Sequence, residues 1–511
     1  MRALVILLCF VPAFADAANT ITLTGGEIGN PGTDTPFTFW LRRSGNVDEG
    51  AFIRYQTVDG TAKAGVDYGA AGDGVTVPPG VDTFGISIGL IGEPGPQPDK
   101  SFSLNLGRVI PTAGPRTFTM PQSFPAPHAA GRPAVGDLNG DGLPDLATFY
   151  FTEAPGHEFT THVMVFLNTT PARAARTSFA SPQTLDFRGF STAAIALADV
   201  NGDGKPDLVL LRSLFNPGVS VLLNTTDAGD STVTFAPAQG VAANGPGVAL
   251  AVADLDGDGR PDLIATDNTN KLVVALNRTD AGSSTISFTH DVFSNMNGSQ
   301  PVVADVDLDG RPDIVQLSGG GIAFLPNRTT SGTNAASFAP VVRVPFNTDH
   351  GTPVSLASLN VNADRRPDLA IGISKGQVYE LLVVVSRLGK DGLPHRSQTR
   401  LPVDHDVSSL AVADFNGDGL DDLAIGDLAD QDPRLTILVS VTRNASMTPE
   451  FVATEYHVGQ GVYPSRLAIG DVNVDGNPDL VFAGDAVFTV LNRFHRAVIA
   501  NHSATATIHY P

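Results

Sequence analysis

Apolar residues along this chain fall in short runs separated by Gly, Pro, Asn and Asp, and hardly any stretch keeps a helical spacing beyond about ten residues. From about residue 116 onward the runs recur in a fixed order. A run such as "IALAD" or "LAVAD" leads into an acidic loop, and "DLVLL" or "DLIAT" leads out of it, so the loop joins two buried strands. A third run follows ("HVMVFLN", "VSVLLN", "KLVVALN", "GIAFLPN"), then a Phe-containing fourth ("TSFASPQ", "VTFAPAQ", "ASFAPVV"). Four strands per repeat are predicted, and the fold class is all-β.

The loop sets the repeat length. Aligned on its last residues it reads "DLNGDGLPD" at 137, "DVNGDGKPD" at 199, "DLDGDGRPD" at 254, "DVDLDGRPD" at 305, "NVNADRRPD" at 360, "DFNGDGLDD" at 414 and "DVNVDGNPD" at 471. A period near 55 residues exceeds a leucine-rich or ankyrin repeat and suits one four-stranded propeller blade. Seven periods span residues 116–511, which predicts a seven-bladed β-propeller there. An unclosed propeller leaves exposed strand edges. Either "RTFTMPQSF" (116–124) or the tail "SATATIHY" can supply the outer strand that closes the ring.

Positions 1, 3, 5 and 9 of the loop carry Asp or Asn oxygens, position 7 offers a carbonyl, and Gly at position 6 permits a sharp turn. Hard oxygen ligands in that number suit Ca²⁺, whereas Zn²⁺ takes His or Cys. Position 12 is Thr148, Leu210 or Ala265 in the first three copies, where an EF-hand needs a bidentate Glu, so a strand-loop-strand site is expected instead. Asp, Asn and Gly also populate ordinary turns. Turn chemistry alone does not require acids at positions 1, 5 and 9 in six copies, because such carboxylates repel one another. The fifth copy departs: Asn360 replaces the first Asp and Arg365 the Gly, so it is expected to bind weakly or not at all, with Arg365 or Arg366 standing in for the ion's charge.

This motif, recurring in phase, resembles the FG-GAP and VCBS repeats of integrin alpha-subunit propellers and their bacterial relatives, over about residues 113 to 495. The resemblance implies a seven-bladed β-propeller with calcium on one face and ligands met by loops of the other. It implies metal ligands at Asp137, Asn139, Asp141 and Asp145, and at Asp199, Asn201, Asp203 and Asp207. The further sets are Asp254, Asp256, Asp258 and Asp262; Asp305, Asp307, Asp309 and Asp313; Asp414, Asn416, Asp418 and Asp422; and Asp471, Asn473, Asp475 and Asp479.

Residues 19–110 lack the repeat and read as short strands, among them "FTFWLRR", "AFIRYQTV", "GISIGLI" and "SFSLNLG", which predicts a β-sandwich. "YQTVDGTAKAGVDY" followed by "GVTVPPGVDTFGISI" resembles the Calx-beta domain. Some members of that family bind calcium at one end of the sandwich. Glu27 and Asp67 match motif positions, while the later acidic cluster is thinned to Glu93 and Asp99. Residues 111–115 make a short linker.

The opening "MRALVILLCFVPAFADA" has one basic residue, an apolar run and small residues at Ala13, Ala15 and Ala17, which reads as a signal peptide over 1–17 that carries away Cys9, the chain's one cysteine. A second apolar stretch of membrane-spanning length is absent from the sequence, so a secreted, surface or periplasmic protein without disulfides is expected. The net charge of −21 argues against a nucleic-acid partner. "HEFTTH" (157–162) has Thr161 where a zinc-protease motif needs His, and no nucleophile elbow or phosphate loop is present. Sequons at Asn168, Asn224, Asn277, Asn327 and Asn444 recur after the third strand, where Asn is also a turn residue. A non-enzymatic, calcium-dependent adhesion or protein-interaction module is the expected function, with an extracellular protein or glycan as ligand. The alternatives are a lectin-like propeller, although Trp40 lies outside the repeats, and a polysaccharide-active enzyme needing a convergent catalytic set.

Overall fold

The computed structural model describes residues 19–508 apart from short segments, the longest of which are 28–35, 92–99, 242–246, 295–300, 346–350, 389–393 and 428–432. The expected signal peptide and Cys9 lie outside the described residues. Among those described there is no helix, and hence none long and apolar enough to cross a membrane. The chain divides into two compact units, 119–415 with 419–492, and the remainder.

The larger unit holds seven four-stranded antiparallel sheets. The first is built from Ala134–Gly136, Asp145–Ala154, Glu158–Phe166 and Gln183–Arg188. In the first six sheets the four strands pair in chain order, and the innermost strands meet their neighbours in sequence until the seventh returns to the first, a closed β-propeller. The seventh sheet takes Ala468–Gly470, Asp479–Ala483 and Ala486–Val490 from the end of the repeats and Gln122–Pro125 from their beginning. Gln122 pairs with Thr489 and Pro125 with Ala486. This joint fastens the ring with backbone hydrogen bonds between its two ends.

Packing explains the strand patterns. Second and third strands such as Asp262–Asp267 and Gly218–Leu222 are buried along their whole length, because each face meets a neighbouring blade. Outer strands such as Gln183–Arg188 alternate half-buried and exposed, since they carry one solvent face. The apolar clusters lie between blades: Phe149, Val163 and Val165 of the first pack with Leu208, Leu210 and Leu222 of the second. Leu146 and Phe166 pack likewise with Val472 and Val481 of the seventh. At about 1.5–3 kcal/mol for each fully buried large aliphatic or aromatic side chain, these layers drive closure.

The smaller unit is a sandwich of two four-stranded sheets. Tyr68 stacks on Phe102 at 4.2 Å, and Phe37 and Phe39 meet Phe102 edge-on. The tail departs from its expected assignment to the propeller. Ala497–Ile499 pairs parallel with Asn19–Glu27, and Ser503–Ile508 pairs antiparallel with Lys100–Thr112, so the last strands complete the sandwich sheets. The strand Lys100–Thr112 also runs into the expected linker.

Candidate metal centres

Each acidic loop connects the first and second strands of its blade, so all seven occupy the same topological position on one face of the ring. Their backbones share a feature beyond the glycine at position 6: positions 4 and 6 are both left-handed. Gly140 and Gly142 have φ of 66° and 86°, and the same pair of turns is made by Leu308 (65°) and Gly310, by Ala363 (56°) and Arg365 (61°), and by Val474 (51°) and Gly476. A left-handed conformation costs an L-residue about 1–2 kcal/mol. Replacing Val474, which is 39% exposed and packs little, with glycine is therefore expected to raise stability by about 1 kcal/mol despite the greater freedom it adds to the unfolded chain. A denaturant midpoint that falls for Val474→Gly would show that the turn is not strained.

The position-9 aspartates begin the second strands and are fully buried in all seven blades. In the first blade, Leu138 N–H donates to one oxygen of Asp145 (2.8 Å) and Asn168 N–H to the other (2.7 Å). The same pair of bonds recurs at Asp207, Asp262, Asp313, Asp368, Asp422 and Asp479. Each carboxylate thus ties its own loop to the end of its third strand. Position 1 works inside the loop: Asp137 accepts from Asp141 N–H (3.2 Å) and Gly142 N–H (2.8 Å). Position 5 is nearest solvent, with Asp141 and Asp309 exposed and Asp258 and Asp475 half-buried.

Two loops draw three carboxylates within 4.8 Å of one another: Asp254, Asp256 and Asp262 in the third, and Asp305, Asp307 and Asp309 in the fourth. Burial first, and the neighbouring carboxylates second, push the position-9 acids upward. Asp145 and Asp207 stand at about 6, Asp262 at about 7 and Asp479 at about 8, against the pull of their backbone donors. Asp313 is raised as well. The donor set is all oxygen, and some of those oxygens lack a donor: Asp307 Oδ1 and Asn473 Oδ1, both at position 3, are buried with no hydrogen-bond partner. An acceptor buried in that state costs about 1–3 kcal/mol and favours a cation. The residues fit a hard divalent ion.

The fifth loop is built differently. Asn360 Oδ1 and Arg366 Nη1 are buried without hydrogen-bond partners. Among the described ion pairs neither Arg365 nor Arg366 meets a carboxylate, so the expected replacement of the ion by an arginine finds no support there. Instead Asp421, at position 8 of the sixth loop where the others have Pro or, in the seventh, also Pro478, accepts from Asn360 N–H at 2.6 Å. A carboxylate from the next blade therefore stands beside the loop that lacks its own first aspartate, and burial raises its pKa.

The sequon asparagines are not turn residues alone. Asn168, Asn224, Asn277 and Asn327 are almost fully buried, and their amides donate to the position-2 carbonyl of the preceding blade: Val472, Leu138, Val200 and Leu255, at 2.6–2.9 Å. They are inter-blade ties. Their regular return after strand three was the signal. Asn444 lies outside the described residues. His157 does too, while His162 sits on the third strand of the first blade between Thr152 (2.8 Å) and Asp186 (2.7 Å), stacked on Tyr150.

In the sandwich, Asp67 is 1% exposed, accepts from Lys63 N–H (2.8 Å) and pairs with the Lys100 ammonium. A lysine already supplies the positive charge that the resemblance assigned to calcium. Glu93 and Asp99 lie outside the described residues.

A Calx-beta domain model matches residues 16–121, an FG-GAP-like repeat model matches 199–265 and 254–316, and an FG-GAP repeat model matches 407–427. Integrin alpha-PS2 of Drosophila melanogaster is 28% identical over 188 residues, which is 34% of this chain and 13% of that protein. The chain thus spans a small part of that relative. Among solved structures, the apo-form Calx CBD1 domain is 31% identical over 15% of this chain and 66% of its own, with a TM-score of 0.14. Chaetomium thermophilum Sqt1 is 13% identical over 73% of this chain and 98% of its own, with a TM-score of 0.39. The chain carries FG-GAP-like repeats and an N-terminal Calx-beta domain, with weak similarity to an integrin alpha subunit.

Proposed function

We propose that this protein is an exported adhesion or protein-interaction module whose propeller is held together by calcium in six of its seven loops. It works by binding and not by catalysis. The aspartates at positions 1, 5 and 9 and the Asp or Asn at position 3 hold the ion, from Asp137, Asn139, Asp141 and Asp145 in the first blade to Asp471, Asn473, Asp475 and Asp479 in the seventh. When bound, calcium supplies charge and six to eight oxygen contacts, without a chemical step. The observation that carries this reading is the conserved loop geometry. Positions 4 and 6 stay left-handed even where Val474 or Leu308 must strain to do so, and two position-3 oxygens, Asp307 Oδ1 and Asn473 Oδ1, are buried without donors.

Magnesium holds its waters and demands stricter octahedral geometry, so mixed carboxylate and amide oxygens favour calcium. Metal analysis of the full chain after dialysis is expected to find about six calcium ions, one for each loop with a complete acidic set. Zinc in their place, or a fifth loop filled as tightly as its neighbours, would overturn the assignment. Capture of extracellular proteins by the mature chain, with and without calcium, tests the interaction role; a glycan-array signal with no protein captured would favour the lectin-like alternative.

A further inference from the structure

In the first, second and seventh loops the amide of the asparagine at position 3 makes two bonds. One goes to the outer oxygen of the position-5 aspartate: Asn139 to Asp141 (3.1 Å), Asn201 to Asp203 (3.2 Å), Asn473 to Asp475 (2.9 Å). The other goes to a backbone carbonyl in the next blade, six residues beyond that blade's sequon asparagine: Asp230, Ser283 and Ala174 respectively, at 3.0–3.2 Å. That amide is therefore both a brace on the loop and a tie between blades.

The third and fourth loops have Asp256 and Asp307 at this position, and a carboxylate can donate neither bond. In both blades the residue after the sequon asparagine is arginine, whereas the first and second blades have Thr169 and Thr225 there. The Arg278 guanidinium donates to Asp256 Oδ2 (2.7 Å) and Asp258 Oδ2 (3.0 Å), and its Nε donates to the Thr333 carbonyl (3.1 Å), the same carbonyl position in the next blade. Arg328 repeats the fork on Asp307 (2.7 Å) and Asp309 (2.6 Å). The third-blade contact is well shielded, with Arg278 13% and Asp256 0% exposed at the side chain, and the fourth is more open. Arg493 follows Asn492 in the seventh blade, where Asn473 already makes both bonds.

We infer that Asp256 with Arg278, and Asp307 with Arg328, are two-residue replacements for the asparagine of the other loops. In both blades the guanidinium grips the outer carboxylate oxygens and offsets the additional charge, and in the third it also restores the tie to the next blade. The guanidinium thereby offsets the extra carboxylate at position 3 of these two loops, and Arg278 and Arg328 are positioning residues that tune the ion's affinity. The calcium part of this inference rests on the function proposed above; the structural part does not.

The test uses the full chain and hydrogen exchange of the peptides covering 254–262 and 330–336, first with a chelator and then titrated with calcium chloride alone. Arg278→Thr is expected to speed exchange of both peptides in the chelated protein, because the brace and the tie are lost. It should also tighten calcium binding at that loop roughly tenfold, as one added unit of negative charge near a divalent ion implies. Adding Asp256→Asn to it recreates the first- and second-blade solution and should restore both readouts. A double variant no better than Arg278→Thr, or unchanged exchange in chelated Arg278→Thr, overturns the inference. If the unaltered protein takes up no calcium, the proposed function falls and with it the affinity claim, while the chelated-state exchange still decides whether arginine replaces asparagine. If the third-blade variant fails to fold, Arg328→Thr with and without Asp307→Asn gives the comparison for the brace alone, read on the peptide covering 305–313.

Discussion

Removing calcium from the intact protein is expected to lower the melting temperature of the propeller by about 10 °C. With free calcium about tenfold above its dissociation constant, each site adds about 1.4 kcal/mol by mass action, and six independent sites about 8. For a ring of roughly 370 residues, the usual unfolding entropy of about 2 cal/mol/K per residue converts that loss to the stated shift. The loss should depend on pH. In the metal-free fold, Asp145, Asp207, Asp262, Asp368 and Asp479 have pKa values of about 6 to 8, above the unfolded value of 3.8. A raised acid destabilises the fold fully above its folded pKa, and that penalty disappears as pH falls through the folded pKa toward the unfolded one. Chelated protein should therefore melt higher near pH 5.5 than at pH 8. Calcium requires the ionised carboxylates, so its stabilising effect should shrink over the same interval. Scanning calorimetry with and without chelator at both pH values reads both effects. An unchanged melting temperature on chelation, together with loss of partner binding, would mean that calcium bridges a ligand and does not hold the ring.

Asp207→Ala is the single substitution expected to cost most in calcium-loaded protein, about 4 kcal/mol. It strands two buried donors, Val200 N–H and Asn224 N–H, at about 1–3 kcal/mol each, and removes an ion ligand. In chelated protein at pH 8 the cost should be smaller, because burying that ionised carboxylate is itself unfavourable. Urea unfolding in the two states separates the contributions. Equal costs with and without calcium would assign Asp207 to hydrogen bonding alone and remove it from the ligand set.

The strand pattern and the ring were legible in the sequence because both are local properties repeated many times. Runs such as "DLVLL" and "KLVVALN" are apolar throughout because a blade inside a ring has neighbours on both faces, and seven such registers cannot arise by chance. The closing strand was one of two candidates in the sequence: "RTFTMPQSF" is a fourth strand without its first three, and Gln122–Pro125, at its end, makes the pairing. The acidic loops were legible as chemistry because Asp, Asn and Gly recur at fixed offsets within nine residues.

What the tertiary structure alone decided lies where residues distant in sequence meet. Arg278 reaches carboxylates twenty residues before it, Asp421 crosses to the fifth loop, and the sequon asparagines tie each blade to the one before. Lys100 finds Asp67 from 33 residues away within the sandwich, and the tail strands return to that domain's sheets. The partner in each of these contacts is set by tertiary packing, within a blade, within the sandwich or between neighbouring blades. That packing places a side chain within 3 Å of one partner and excludes another of the same chemistry. The sequence by itself determined the repeat, its strands and the ligand chemistry of its loops. Packing between blades determined which charges are cancelled from within, and so which oxygens are left for an ion.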